Sequence, residues 1–82
     1  MILVDVYVPS VGKTYDFHLE ENAAISVIIE EISEMVGHKE RTRIIGDTSG
    51  LQICDKAGGK TMPKASTLAK CGICNGDSLI LV

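Results

Sequence analysis

The sequence has one segment with helical periodicity, and this segment constrains the fold more than any other feature. From Asn22 onward the apolar residues recur at spacings of three and four, with glutamates between them. They are Ile25, Ile28, Ile29, Ile32, Met35 and Val36. The pattern predicts a helix over residues 23–36, with Asn22 as its N-cap and Gly37 at its end. Because the chain has only 82 residues, this one helix has to cover the apolar face of the rest.

The residues before the helix predict an antiparallel β-hairpin. Apolar and polar side chains alternate in residues 2–8 and again from residue 15, and residues 9–12 between them have turn chemistry. The inward positions are Val4, Val6 and Val8 in the first strand and Tyr15, Phe17 and Leu19 in the second.

The residues after the helix predict shorter elements. Residues 38–50 are polar and turn-rich apart from two isoleucines, and no element is assigned to them. Leu51, Ile53 and Cys54 indicate a third strand, followed by a short extended piece at residues 61–62 and a helical turn at residues 67–70. The closing run LILV, residues 79–82, favours an interior strand beside the first one, because both of its faces are apolar.

This order of elements predicts a single α+β domain over residues 1–82, with a mixed four- to five-stranded sheet packed on one helix. A net charge of −3 and a pI near 5.2 argue against nucleic-acid binding. No apolar run approaches the roughly 20 residues that cross a bilayer, so we expect no direct membrane insertion. Three cysteines fit a reducing compartment, and we expect a cytosolic protein.

The closing segment TLAKCGICNGDSLILV carries a family resemblance. Thr67, Leu68, Ile73 and the final strand are similar to the last segment of ubiquitin, and the VGKT turn at 11–14 is similar to its first hairpin. CGI at 71–73, NGD at 75–77 and Leu79 resemble the closing signature of the YukD/EsaB family of small bacterial ubiquitin-like proteins. VDVYV and YDFHL also fit that family.

The resemblance implies a ubiquitin-like β-grasp fold. It also implies a cytosolic accessory of the type VII secretion system of Gram-positive bacteria, peripheral to the membrane through a protein partner. That partner would be a cytosolic domain of a membrane or ATPase component of the system. The family's cysteine pattern is Cys-Gly-Ile followed by a variable residue, which places Cys74 at the variable position.

The CGIC motif offers an alternative function. In redox proteins of the thioredoxin type the first thiol lies at a helix N-terminus. Here Cys71 closes a short turn and no long helix follows, so we interpret Cys71 as a packed small hydrophobe and Cys74 as an incidental thiol. Zinc would need Cys54 and His18 or His38 in addition. A small thiol or zinc protein using Cys71 and Cys74 is the alternative.

No enzyme or cofactor is expected. The two GKT triplets, at 12–14 and 59–61, lack the earlier glycine of a phosphate-binding loop, because Tyr7 and Cys54 occupy that position. The sequence shows no nucleophile with a base and an orienting acid at a recognisable spacing. Ubiquitin and sulfur carriers react through a flexible Gly-Gly tail, whereas LILV closes this sequence, so we expect no conjugation.

Alternation along the strands predicts an apolar patch on the open side of the sheet. Gln52 stands where ubiquitin's patch has its central isoleucine, so ubiquitin's own partners are not expected. Lys39, Arg41 and Arg43 form a basic cluster that is either a solvated loop or a contact for an acidic partner. The candidate partner-binding residues are Leu3, Tyr7, Gln52, Ile80, Val82, Arg41 and Arg43.

Overall fold

The computed structural model describes residues 1–40 and 50–82. Their regular elements are β1 (Ile2–Val8), β2 (Lys13–Leu19), α1 (Ile25–Glu40), β3 (Ile53–Asp55) and β4 (Ser78–Leu81). The four strands form one mixed sheet in the order β2-β1-β4-β3. The predicted α+β class, with a four- to five-stranded sheet on one helix, is confirmed.

Strands β1 and β2 form the predicted antiparallel hairpin, with Ile2 opposite Leu19 and Val8 opposite Lys13. The turn between them closes through hydrogen bonds from the N–H groups of Val11 and Gly12 to the Val8 carbonyl, at 3.1 and 2.9 Å.

Strand β4 occupies the interior of the sheet, as its continuous apolar run predicts. It pairs in parallel with β1 and antiparallel with β3. Backbone pairing continues past the end of β4: the Val82 N–H donates to the Gln52 carbonyl at 2.9 Å, and the Gln52 N–H donates to Val82 at 2.7 Å. Residues 79–82 are therefore integrated into the sheet.

The core lies between one face of the sheet and α1. The alternating residues of the strands and the apolar stripe of the helix meet there, with no buried polar or charged residue among those described. Its fully buried members include Val4, Val6, Leu19, Ile25, Ile28, Ile32, Val36, Ile53, Leu68 and Leu79. The two periodicities read from the sequence thus identify the same core.

Both predicted ends of the helix are wrong. The helix begins at Ile25, and Asn22 is not its N-cap. The Ile25 N–H instead donates to the Ser66 carbonyl at 2.9 Å, and the Ser26 N–H donates to Lys64 at 3.1 Å. A loop distant in sequence thus provides the acceptors that a capping side chain would provide.

At its other end the helix continues through Gly37 to Glu40. Glycine is common just after the end of a helix, but a helix can also continue through it. The additional turn is held from outside, because Glu40 accepts hydrogen bonds from Tyr15 and Lys13 of β2.

The remaining short elements agree with the prediction in kind and differ in their bounds. β3 begins at Ile53, and Leu51 is buried just before it. Thr61 forms an isolated bridge with Cys54, at the position of the predicted extended piece. Residues 67–70 form a turn in which the Cys71 N–H donates to the Thr67 carbonyl at 3.1 Å.

Candidate interaction surface

The sheet has a second surface, which faces away from α1 and which we call the outer face. The strand register, and the backbone pairing that continues it from β3 and β4, place the following residues on it: Leu3, Asp5, Tyr7, Thr14, Asp16, His18, Gln52, Cys54, Ser78, Ile80 and Val82. They alternate with the buried residues of the same strands, so the two faces are distinguished by the pleat alone.

An apolar strip crosses the outer face. Tyr7 of β1 lies opposite Ile80 of β4, and both side chains are half-buried. Val82 continues the strip along β4 and is 51% exposed, whereas Leu3 is 38% exposed and lies on the far side of the row formed by Asp5 and Ser78. Gln52 is exposed and pairs with Val82 through its backbone. Of the five described residues of the predicted patch, the structure therefore brings together Tyr7, Ile80, Val82 and Gln52, and it leaves Leu3 apart from them on the same face.

Cys54 extends the strip and was missed by the sequence reasoning as a residue of this face. It lies opposite Ile80 on β3 and contacts Thr61, with Sγ and Oγ1 3.4 Å apart. The sequence did contain a signal for this placement: Cys54 follows Ile53, which is fully buried, and neighbouring residues of a strand point to opposite faces.

Next to the strip lies a pair of carboxylates that the sequence reasoning also missed. Asp5 and Asp16 are directly opposite each other on β1 and β2. The Ser78 hydroxyl donates to Asp5 Oδ2 at 3.2 Å. A hydrogen bond with Asp5, followed by the charge of Asp5, raises the pKa of Asp16 above its usual 3.8. Both aspartates occupy polar positions of the predicted hairpin, so alternation indicated the face of each, but only the register of the hairpin shows that they are opposite each other.

A polar network joins β2 to the end of α1. Tyr15 Oη donates to Glu40, and Lys13 Nζ lies 3.0 Å from Glu40 Oε1. Burial, and then the hydrogen bond to Glu40, raise the pKa of Tyr15 to about 12. The hydrogen bonds from Tyr15 and Lys13 lower the pKa of the Glu40 carboxyl. Lys39 Nζ lies 5.6 Å from the centre of the Tyr15 ring, a cation–π distance.

The NGD motif connects the last loop to β1. The Leu3 N–H donates to Asn75 Oδ1 at 2.7 Å, and the Gly76 N–H donates back to the Leu3 carbonyl at 2.7 Å. The Asp77 side chain accepts from the Cys74 N–H at 2.7 Å, and the Asp77 carbonyl accepts from Asp5 at 3.0 Å. These bonds continue the β1–β4 pairing beyond the strand, so the motif has a structural role.

The three cysteines are free thiols with different surroundings. Cys71 is half-buried against the core, with Sγ 3.7 Å from the Ser66 hydroxyl, whereas Cys74 is exposed. Across residues 1–40 and 50–82, no three histidine, cysteine or acidic side chains cluster as a metal site would require. His18 and His38 are both exposed, and His38 lies within α1 rather than after it.

Arg41 and Arg43 of the basic cluster fall outside the described residues. A shallow cavity of about 180 Å³ opens beside β3 and is lined by Asp55, Lys60, Thr61, Met62, Pro63 and Cys71.

Within the described part of the chain, no helix is both long and apolar enough to span a membrane.

Several solved structures share this fold. The ubiquitin-like domain of Plasmodium falciparum Dsk2 has 22% identity and a TM-score of 0.76, with 99% of this chain and 95% of that one covered. The EccD5 ubiquitin-like domain from Mycobacterium xenopi has 20% identity and a TM-score of 0.79, with 99% and 91% covered. These similarities confirm the ubiquitin-like β-grasp fold.

A chain of the MycP5-free ESX-5 inner membrane complex also matches, with 20% identity and a TM-score of 0.80. The match covers 99% of this chain but 20% of that one, so the present domain corresponds to about a fifth of its length. A comparison with curated protein sequences found no match.

The sequence itself matches one family over nearly its whole length. Residues 3–81 fit the family described as protein YukD of the WXG100 protein secretion system. The match includes both the hairpin and the closing NGD segment, whose hydrogen bonds hold the sheet together. The chain belongs to the YukD family of ubiquitin-like proteins associated with WXG100, or type VII, secretion.

Proposed function

We propose that this protein is a non-enzymatic, non-conjugated interaction module that acts in the cytosol beside a type VII secretion system. It docks through its outer face on a cytosolic domain of a membrane or ATPase component. The observation that carries the proposal is the apolar strip of Tyr7 and Ile80, in the middle of a sheet face that no helix of the described chain covers.

The family and the fold neighbours support the secretion context. The matching chain of the ESX-5 complex is part of an inner membrane assembly by its description, and EccD5 carries a domain of the same fold. At 20% identity these similarities concern the fold, so the partner and the docking residues are our proposal. The proposal also includes Arg41 and Arg43, from the sequence alone, as a second contact that would bind an acidic surface of the partner.

The interaction is tested by binding of the purified protein to the purified cytosolic domains of the co-encoded membrane component and ATPase. Ile80→Asp and Val82→Asp should each weaken binding at least tenfold, because a carboxylate in a desolvated contact has no partner there. Val27→Asp is the matched control: Val27 is 52% exposed on α1, away from the sheet, and its replacement should leave binding unchanged.

Thermal unfolding of each variant separates loss of binding from loss of fold. Val82 is half exposed, so Val82→Asp should keep a melting temperature close to that of the wild type. Undiminished binding by both outer-face variants would remove this surface from the proposal. A complex that survives denaturing electrophoresis would contradict a non-covalent module.

A further inference from the structure

The outer face combines apolar contacts with two carboxylates, those of Asp5 and Asp16, that form no ion pair among the described residues. Like charges directly opposite on neighbouring strands destabilise a sheet, and a hydrogen bond with Asp5, followed by the charge of Asp5, raises the pKa of Asp16. Within residues 1–40 and 50–82, the ion pairs include Met1 with Glu21 and Lys13 with Glu40, and His38 lies 4.0 Å from Glu34. None of them includes Asp5 or Asp16.

On the outer face, the row that contains Asp5 and Asp16 lies next to the row that contains Tyr7 and Ile80. Asp5 is two residues from Tyr7 on β1, and Ser78 is two residues from Ile80 on β4, with Asp5 opposite Ser78. Neighbouring rows on one sheet face are about 7 Å apart. A single partner side chain with an apolar stem and a cationic head could therefore contact the strip and the carboxylates together.

We propose that the outer face selects a protein partner presenting an arginine, whose stem packs on Tyr7 and Ile80 and whose guanidinium binds Asp5 and Asp16. This inference rests on the proposed function and specifies its partner. A guanidinium fits best because its planar donors match carboxylates and its face stacks on an aromatic ring. A lysine ammonium is a compact point charge that has neither the planar donors nor the stacking face.

The same charges disfavour the other occupants of such a face. A second copy docked face to face would bring two carboxylate pairs together. Nucleic acid and anionic lipid would meet the same repulsion, on a chain of net charge −3. The positive charge of Lys39 on α1 partly offsets the rise in the pKa of Asp16. Its Nζ lies over the Tyr15 ring, however, and forms no ion pair with Asp16 among the described residues.

The test measures binding of the same purified partner domains by wild type, Asp16→Asn, Asp5→Asn and Glu30→Gln. Either aspartate variant should bind roughly tenfold more weakly, and the wild-type affinity should fall with added salt. Glu30→Gln removes the same charge from the exposed surface of α1 and should bind normally. Asp16→Asn should also melt no lower than the wild type, because it removes a like-charge repulsion.

The outcomes distinguish the two proposals. If neither purified domain binds the wild type, both the proposed function and this inference are overturned. If binding is sensitive to Ile80→Asp but not to the aspartate variants or to salt, the docking surface is supported and the arginine-bearing partner is wrong. Weaker binding by Asp16→Asn, with an unchanged or raised melting temperature, supports the inference. If Asp16 had a merely structural role, the substitution would lower both the affinity and the melting temperature.

Discussion

At the scale of single residues, the NGD motif shows how a family signature can arise from structure alone. Gly76 has a φ of 90°, in the left-handed region that side chains disfavour. Its N–H reaches the Leu3 carbonyl in this conformation, and Asn75 bonds the Leu3 N–H beside it. The two residues satisfy both backbone groups of Leu3 at the start of the sheet.

Gly76→Ala should therefore destabilise the fold by about 1–2 kcal/mol, through backbone strain alone. An added Cβ at this position has no neighbour within 4 Å, so steric overlap makes no contribution. Chemical denaturation measures the effect. Gly58→Ala is the control, since Gly58 has no positive φ and an added Cβ meets only the Asp55 side chain at 3.4 Å. Equal losses in the two variants would show that Gly76 has no special conformational role.

At the scale of elements, the last turn of α1 depends on a strand rather than on its own sequence. Residues 37–40 include a glycine, which costs about 1 kcal/mol relative to alanine in a helix interior. Tyr15 and Lys13 bond the Glu40 carboxylate, and Lys39 lies over the Tyr15 ring. The helix is therefore longer than its periodic pattern because β2 binds its end.

Glu40→Gln should lower the melting temperature near neutral pH and speed amide exchange in residues 37–40. Because the folded-state pKa of Glu40 is lowered, its contribution is present above the usual value of 4.5 and is lost as the pH falls through the folded pKa. The melting temperature of Glu40→Gln should therefore lack the part of the decrease at acidic pH that protonation of Glu40 causes in the wild type. Melting curves at several acidic pH values and at neutral pH measure it.

Glu34→Gln is the matched control for this prediction. Glu34 is exposed on the same helix and only approaches His38, at 4.0 Å. If the two variants have the same melting temperature and acid dependence, the network at the helix end does not stabilise the fold.

At the scale of the whole molecule, the fold depends on β4 joining the two halves of the sheet. β1 and β2 pair locally, but β3 reaches β1 only through β4. Leu79 is fully buried against the helix, and a domain of this size is stabilised by about 4–12 kcal/mol in total. A defect in β4 should therefore affect every element.

Leu79→Ala should cost about 2–5 kcal/mol and reduce protection from amide exchange throughout the sheet. Val27→Ala, at an exposed helix position, should change stability by no more than about 0.5 kcal/mol. Denaturant titration and hydrogen exchange measure both. Rapid exchange of the β4 amides in the wild type, with the rest protected, would contradict this architecture.

The extent of successful prediction follows from how local each interaction is. The hairpin, the buried face of each strand and the outward set of Leu3, Tyr7, Ile80 and Val82 were predicted from the sequence, because side-chain direction alternates along a strand. The helix caps were not predicted, since the acceptors for Ile25 and Ser26 come from Ser66 and Lys64. The Asp5–Asp16 pair was missed because it depends on strand register, whereas Cys54 was missed although its alternation with Ile53 indicated its face.

What the sequence by itself determined is which side of each element is apolar and which family the chain belongs to, since both are contained in local spacing and in the closing motif. Only the tertiary structure decided where α1 begins and ends and which charges face each other on the outer face. The physical reason is distance along the chain. The Leu3 amide and Asn75 side chain, or Tyr15 and Glu40, become neighbours only after the sheet and helix have packed.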